Sequence, residues 1–277
     1  MEIFHTIAEY KEWRFGVAEE GGLGSIGFVP TMGALHEGHA SLMRKSREVC
    51  DTVVVSILVN PTQFGDASDL ENYPRTLEAD LEVAQSAGVD VVFTPSPEDL
   101  YGGVPSASEV DWGSITSDFE AAFRPGHFDG VIAVVDKLFS AVKPQQAFFG
   151  EKDLQQVAVI RRLTKDLHPG IQIHSCDLIR DEDGLALSSR NTRLSESGRG
   201  IALELSRSLV AVSKSVDFEK EIANQIERIN SHDGIELEYL AGVNEVTYSK
   251  SDSPDTWTHA IIAAEVDGVR LIDNIRL

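Results

Sequence analysis

The sequence predicts an α/β protein: a doubly wound, Rossmann-like parallel sheet followed by a smaller C-terminal α+β domain. Apolar, β-branched runs alternate with segments of helical spacing over residues 26–179, as parallel strands joined by crossover helices do. Two of those runs end in glycine-bearing polar loops that open into helices, at residues 31–39 and 150–153, which is how such sheets present helix N-termini to ligands. After Arg180 the order changes to two helices and then three short strands, the arrangement of a separate α+β unit.

Residues 6–20 have mixed helical spacing and end in Gly21-Gly22, reading as a surface helix and a turn. Ile26-Gly27-Phe28-Val29-Pro30 reads as a strand and Ala40-Ser41-Leu42-Met43-Arg44-Lys45-Ser46 as a helix, with the loop Met32-Gly33-Ala34-Leu35-His36-Glu37-Gly38-His39 between them. The continuous run over 52–59 is of the kind buried on both faces of a parallel sheet. It stops at Asn60-Pro61-Thr62-Gln63-Phe64, a loop that falls beside the histidine-bearing one if the two strands are neighbours.

A polar loop through Tyr73-Pro74-Arg75 leads to a helix over about 76–87 and a strand over 89–93. Residues 95–117, rich in Pro, Gly and Ser, are expected to have little regular structure and to serve as a functional loop or lid. Phe123-Arg124-Pro125-Gly126-His127-Phe128 precedes a helix through Ala141. Gln146-Ala147-Phe148-Phe149 is a short strand, Gly150-Glu151-Lys152-Asp153 opens a helix to about Leu167, and a strand runs from Ile171 to Ile179. Helices are then expected at about 195–214 and 218–231, and strands within 236–244, 259–265 and 271–275. A boundary near Arg180 gives domains 1–179 and 180–277 and puts the loop 187–190 at their interface, where substrates commonly bind.

Asp and Glu outnumber Lys and Arg by 45 to 24, a formal net charge of −21. Such a surface repels nucleic acid and anionic membranes, so an anionic substrate must be met by a few local cations and a metal ion. Cys50 and Cys176 form no CxxC pair and no disulfide framework, which suits a reducing cytoplasm. The first residues lack the basic and apolar regions of a signal peptide, and no apolar run is long enough to cross a bilayer.

The chemistry concentrates in three places. Gly33 lets the first loop bend close to a ligand, Gly38 removes a side chain beside it, and His36 and His39, three apart, project from one face of the first helical turn. Unpaired backbone N–H groups, the positive end of the helix dipole and two imidazoles suit a polyphosphate on which charge grows as a bond to the α-phosphorus breaks, pointing to nucleotidyl transfer. The alternatives are ordinary polar residues in a turn, or a zinc site that lacks a third ligand. Lys152, with Gln156 one turn on, can reach a phosphate or a carboxylate from the second helix start, or be a plain surface lysine. Ser188, Ser189 and Arg190 offer two hydroxyls and a guanidinium suited to phosphate oxygens, or make a solvated turn.

His36-Glu37-Gly38-His39 and Leu187-Ser188-Ser189-Arg190 resemble the paired HxGH and KMSKS-type elements of the nucleotidyltransferase superfamily. Within it, residues 30–39, 60–64, 123–128, 149–153 and 187–193 resemble the pantothenate synthetases, which join pantoate to β-alanine using ATP. The resemblance covers nearly the whole chain to about Arg193; beyond that it lies mainly in length and expected architecture. Many members carry Met where this chain has Leu187, a position that supplies backbone and apolar contact.

The resemblance implies roles by position. The loop Met32, Gly33, Ala34, Leu35, His36, Glu37, Gly38 and His39 binds ATP, with proton-donor chemistry at His39 and a phosphate contact at His36. Gln63 contacts pantoate and β-alanine, and Gln156 contacts pantoate. Gly150, Glu151, Lys152, Asp153, Ile179, Leu187, Ser188, Ser189 and Arg190 complete the ATP site. Asn60 and Arg124 are further substrate-binding candidates, and Asp80 is a candidate for placing Mg²⁺, which the nucleotide's phosphates chiefly hold. The implied reaction is adenylation of pantoate followed by amide formation, with the residues 95–117 as part of a cover against water. A homodimer is also implied. A nucleotidyltransferase acting on a phosphorylated acceptor would need more basic residues than this chain has. A non-catalytic nucleotide-binding module would not release AMP and pyrophosphate, and an aminoacyl-tRNA synthetase is disfavoured by the net charge and the lack of an evident anticodon-binding extension.

Overall fold

The computed structural model describes residues 1–19, 22, 24–65 and 67–277. The expected end of the first helix at Glu20 and half of the Gly21-Gly22 turn lie outside the described residues. In chain order the elements are β1 (Glu2–Phe4), α1 (Ile7–Glu19), β2 (Ile26–Thr31), α2 (Glu37–Val49), β3 (Thr52–Ile57), α3 (Ala67–Glu71), α4 (Leu77–Ser86), β4 (Val91–Phe93), α5 (Pro97–Tyr101), α6 (Ser114–Ser117), α7 (Glu120–Phe123), α8 (His127–Val142), β5 (Gln146–Gly150), α9 (Leu154–Leu167), β6 (Gln172–Cys176), α10 (Glu196–Ser213), α11 (Phe218–Asn230), β7 (Ile235–Val243), β8 (His259–Val266) and β9 (Val269–Arg276).

The chain divides into two compact units. The first comprises Met1–Val110, Arg124–Glu151 and Val159–Cys176; the second comprises Asp111–Phe123, Lys152–Ala158 and Asp177–Leu277. A single boundary near Arg180 does not anticipate the two short segments, 111–123 and 152–158, that group with the C-terminal residues.

The first unit holds a six-stranded sheet of order β1-β4-β3-β2-β5-β6, every pair parallel. The doubly wound class is therefore as the alternation predicts. β2 sits at the centre because Phe28 and Val29 are fully buried, and β3 because Val53, Val54 and Val55 are. Each such valine contributes roughly 1.5–3 kcal/mol of apolar transfer on folding. Helix α2 turns Ala40, Leu42, Met43 and Ser46 inward, and the first three join the core with Val29, Val53, Val55 and Phe148. From β2 the chain proceeds to β3 on one side and, later, to β5 on the other. The gap outside the carboxyl ends of β2 and β5 is thus the topological switch point, where open α/β sheets bind their ligands.

Three local expectations differ from the structure. β1 was not anticipated; its three residues pair only with β4, and so short a strand carries no periodicity to read. The segment expected to be irregular from Pro95 contains α5 and α6. Ser96 caps α5 by accepting the N–H of Asp99, and Pro97 occupies the first turn, where its missing N–H costs nothing. The last strand of the sheet ends at Cys176 instead of Ile179.

The second unit carries an antiparallel sheet, β7-β8-β9. β8 and β9 are joined by Asp267-Gly268, both at positive φ, the backbone a two-residue hairpin requires. Ala202, Leu205, Leu209 and Val212 of α10, with Ile222 and Ile229 of α11, share a core with Ile262, Ala264 and Leu271 of the sheet. Beside it, Arg270 donates to both Glu120 and Glu238, and the Tyr239 hydroxyl donates to Glu120 at 2.7 Å.

Candidate active site

At the carboxyl end of β2, Gly33 and Ala34 both adopt left-handed φ, +83° and +50°, and turn the chain toward α2. A side chain at Gly33 would come within 2.9 Å of the Asp80 carboxylate, so only glycine lets that carboxylate lie under the loop. Asp80, 2% exposed, accepts the backbone N–H groups of Ala34 at 3.1 Å and Leu35 at 2.7 Å and the Thr76 hydroxyl at 3.1 Å. Asp80, the candidate for placing Mg²⁺, thus has both oxygens engaged in holding the loop. Among the described residues no three His, Cys, Asp or Glu side chains are grouped to hold a metal ion.

His36 is the N-cap of α2. Its Nδ1 accepts the N–H of Gly38 at 3.1 Å, and the Nδ1 of His39 accepts the N–H of His36 at 3.3 Å. The two imidazoles therefore cap the helix reciprocally, as Ser and Glu do in a capping box. Because each Nδ1 accepts, the proton of each neutral ring lies on Nε2. The ring centroids are 4.1 Å apart, so the two imidazoles sit together at the helix start.

At the end of β3, Asn60 caps a 3₁₀ turn, Pro61–Gln63. Asn60 Nδ2 donates to Gln63 Oε1 at 3.2 Å and to the Gly130 carbonyl at 3.1 Å, while Gln63 Nε2 lies 2.8 Å from Met32 Sδ. The structure thus brings Met32, Asn60 and Gln63 together beside the histidine loop. Helix α8 supports them closely: a side chain at Gly130 would overlap the backbone of Thr62 and Gln63. His127 Nδ1 donates to the Gln63 carbonyl at 2.8 Å, and Arg124 Nη1 is 3.1 Å from His127 Nε2, which connects Arg124 to the same group.

Tyr101 also belongs to this cluster, although nothing in the sequence singles out an aromatic in a stretch expected to be irregular. Its hydroxyl donates to Asn60 Oδ1 at 3.1 Å and lies 3.1 Å from Thr62 Oγ1. Burial pushes the phenol above its usual range, so it stays a neutral donor. At the end of β5, Gly150 leads to Glu151, which accepts the Ser175 hydroxyl at 3.0 Å.

In the second unit, Lys152 and Asp153 lie on a 3₁₀ turn, Glu151–Asp153, that precedes α9, so the helix opens later than expected. Lys152 Nζ is 3.8 Å from Asp153 Oδ1. Gln155 is consumed by structure: buried, it accepts the N–H of Glu120 and donates to the carbonyls of Ile115 and Asp118. Gln156, the predicted substrate contact, is half-buried.

Ile179 and Leu187 face each other through a 3.0 Å backbone hydrogen bond, and Arg180 bridges Ala186. This closes a small antiparallel loop that delivers Ser188, Ser189 and Arg190. Ser188 Oγ accepts the N–H of Arg190 and starts the turn Ser189–Arg193. Asn191 donates to the Ala186 carbonyl at 2.9 Å, so Ser188, Ser189 and Arg190 stand on a braced turn.

The family model for pantoate-beta-alanine ligase matches residues 2–276. The chain is 48% identical over 265 residues to the pantothenate synthetase of Corynebacterium glutamicum (strain R), covering 91% of this chain and 94% of that one. The crystal structure of pantothenate synthetase from Thermus thermophilus is similar with a TM-score of 0.90 at 38% identity, covering 100% of this chain and 99% of that one. A pantoate-beta-alanine ligase from Francisella tularensis, complexed with beta-gamma ATP and beta-alanine, is similar with a TM-score of 0.83 at 35% identity, covering 100% and 97%. A histidine-capped helix at the switch point of a parallel sheet, matched over nearly every residue by these relatives, leads to one conclusion: the chain is an enzyme of the ligase class and belongs to the pantoate–β-alanine ligase family.

Proposed function

We propose that the chain condenses pantoate with β-alanine in two steps through a pantoyl adenylate. In the first, a pantoate carboxylate oxygen attacks the α-phosphorus of ATP, the bond to the bridging oxygen breaks, and pyrophosphate leaves. In the second, the β-alanine amine attacks the acyl carbon and loses a proton, and AMP leaves. The observation that carries the reading is the pair of histidines that cap the start of α2 through Nδ1, which puts the ring proton of each neutral imidazole on Nε2. Donors fixed in advance stabilise charge as it develops without reorganising.

Within this reading His36 and His39 act on the phosphates, with Lys152, Ser188, Ser189 and Arg190 as the further donors and cations. The backbone of the loop 32–39, with Gly150, Glu151, Asp153, Ile179 and Leu187, completes the nucleotide contacts. Gln63, held against Met32 and Asn60, orients pantoate and the incoming amine by neutral hydrogen bonds, with Arg124 behind it and Gln156 as a second pantoate contact. Mg²⁺, held chiefly by the nucleotide's own phosphates, would neutralise part of their charge. This fits a chain in which Asp80 is already committed to the loop.

The chain is read as a homodimer on the family resemblance, which light scattering tests. Cys50 and Cys176, neither of them in a disulfide, suit a reducing, cytoplasmic setting, and among the described residues no helix is long and apolar enough to cross a membrane.

The decisive experiment is a product assay with ATP, pantoate and β-alanine, each omitted in turn, together with exchange of labelled pyrophosphate into ATP. Pantoate alone is expected to support exchange, and all three substrates to yield pantothenate, AMP and pyrophosphate. Exchange that requires β-alanine would count against a discrete adenylate.

A further inference from the structure

Two neighbouring residues of β9, far along the chain from every residue assigned above, hold two of the phosphate-type elements at once. The Asp273 carboxylate takes a bidentate pair of hydrogen bonds from Arg180, Nη1 to Oδ2 at 2.7 Å and Nη2 to Oδ1 at 2.8 Å. Arg180 also donates to the carbonyls of Asn274 at 3.0 Å and Gly184 at 3.1 Å. It stands at the base of the closed loop, between Ile179 and its bridge to Ala186, so gripping Arg180 places the turn that carries Ser188, Ser189 and Arg190. The next residue, Asn274, donates its amide Nδ2 to the backbone carbonyl of Lys152 at 3.2 Å. Asn274 is itself fixed, since its N–H donates to Asp273 Oδ1 at 2.7 Å.

Asp273 and Asn274 are 5% and 6% exposed, whereas an isolated hairpin strand has no need of buried polar side chains at such positions. An unpaired carboxylate there would be costly to bury. Burial pushes the Asp273 carboxyl upward, and the hydrogen bonds and charge of Arg180 oppose that shift.

We propose that Asp273 and Asn274 are positioning residues for the adenylation step: through Arg180 and the Lys152 carbonyl they set the spacing between Lys152 and the Ser188-Ser189-Arg190 turn, and so the span of polyphosphate the two can clasp together. Neither touches substrate. A displacement of about 1 Å between such groups is enough to cost roughly 10²-fold in rate. This inference rests on the assignment of Lys152 and Arg190 to the phosphates.

The test uses the full-length chain with Asn274→Ala, which leaves the buried ion pair intact, and Arg180→Lys, which keeps the charge but loses the bidentate fork. Three readouts are taken: pantoate-dependent pyrophosphate exchange, turnover of preformed pantoyl adenylate with β-alanine, and equilibrium binding of a non-hydrolysable ATP analogue. Both variants are expected to slow exchange by about 10–100-fold while turning over the preformed adenylate within about twofold of the unaltered protein, with thermal melting reporting that the fold survives. In a double-mutant cycle, Asn274→Ala added to Lys152→Ala should weaken analogue binding little further, because Asn274 acts through Lys152. Equal loss in both half-reactions, or full additivity in the cycle, overturns the proposal. Failure of the unaltered protein to exchange pyrophosphate would instead sink the adenylate reading, and the binding cycle would still decide this one.

Discussion

The Nδ1 atom of His39 accepts the backbone N–H of His36 at 3.3 Å, so the residue expected to do proton chemistry also caps the helix that displays it. The same holds for His36, whose Nδ1 serves Gly38. The capping contacts engage Nδ1 of each ring, so capping and the proposed phosphate chemistry can be tested separately. His36→Asn should retain a good N-cap and stay close to the unaltered stability, whereas His36→Ala should lose about 1 kcal/mol. Both lack the Nε2–H donor, so both should slow pyrophosphate exchange by about 10²-fold. Thermal unfolding and exchange are measured side by side. Equal stability of the two variants denies the cap, and normal exchange in the Asn variant removes His36 from the phosphates.

His39→Ala should depress adenylation severely and leave the second step nearly intact, since amide formation no longer involves departure of pyrophosphate. Supplying preformed pantoyl adenylate with β-alanine bypasses the first step, and pantothenate should then form at close to the unaltered rate. The variant should remain folded at a cost of about 1–2 kcal/mol, the loss of one cap. Equal impairment with the preformed adenylate would place His39 at the acyl centre or the amine.

Asp80 lies beneath the loop and accepts two of its backbone N–H groups. In Asp80→Asn one acceptor oxygen becomes an NH₂ facing a backbone donor, so the loop should shift. The expected outcome is a several-fold rise in KM for ATP and a fall in Tm, with the Mg²⁺ concentration for half-maximal rate unchanged. A Mg²⁺ requirement that moves in parallel with the activity loss would instead make Asp80 a metal residue.

His174 gives a pH dependence of stability. Its ring stacks on Phe148 at 4.5 Å and its Nε2 lies 2.7 Å from Gln146 Oε1. Burial, and secondarily the charge of Lys45, hold its pKa below the ordinary 6.5. Folding therefore favours the neutral ring: its contribution is fully present above the unfolded value and is lost as pH falls through the folded one. NMR titration should give a midpoint under 6.5. His174→Gln should flatten the stability profile just below neutrality, above the range where carboxylates titrate. A midpoint above the ordinary value would refute the assignment.

The amino-acid order alone specifies what a single element carries locally. Alternating β-branched and helical runs predict the parallel sheet because a strand buried on both faces must be apolar throughout, as Val53, Val54 and Val55 are. The motif His36-Glu37-Gly38-His39 is likewise legible, because its capping hydrogen bonds span only three residues. Other relationships exist only once distant segments pack: Asp80 holds a loop 45 residues earlier, Tyr101 reaches Asn60 across 41 residues, and Asp273 and Asn274 reach back 93 and 122 residues to Arg180 and Lys152. A carboxylate or an amide looks the same in sequence whether it faces water or a partner. Only the packing of distant segments removes the water and leaves one donor or acceptor to answer it, so the assignment of such residues waits on the fold.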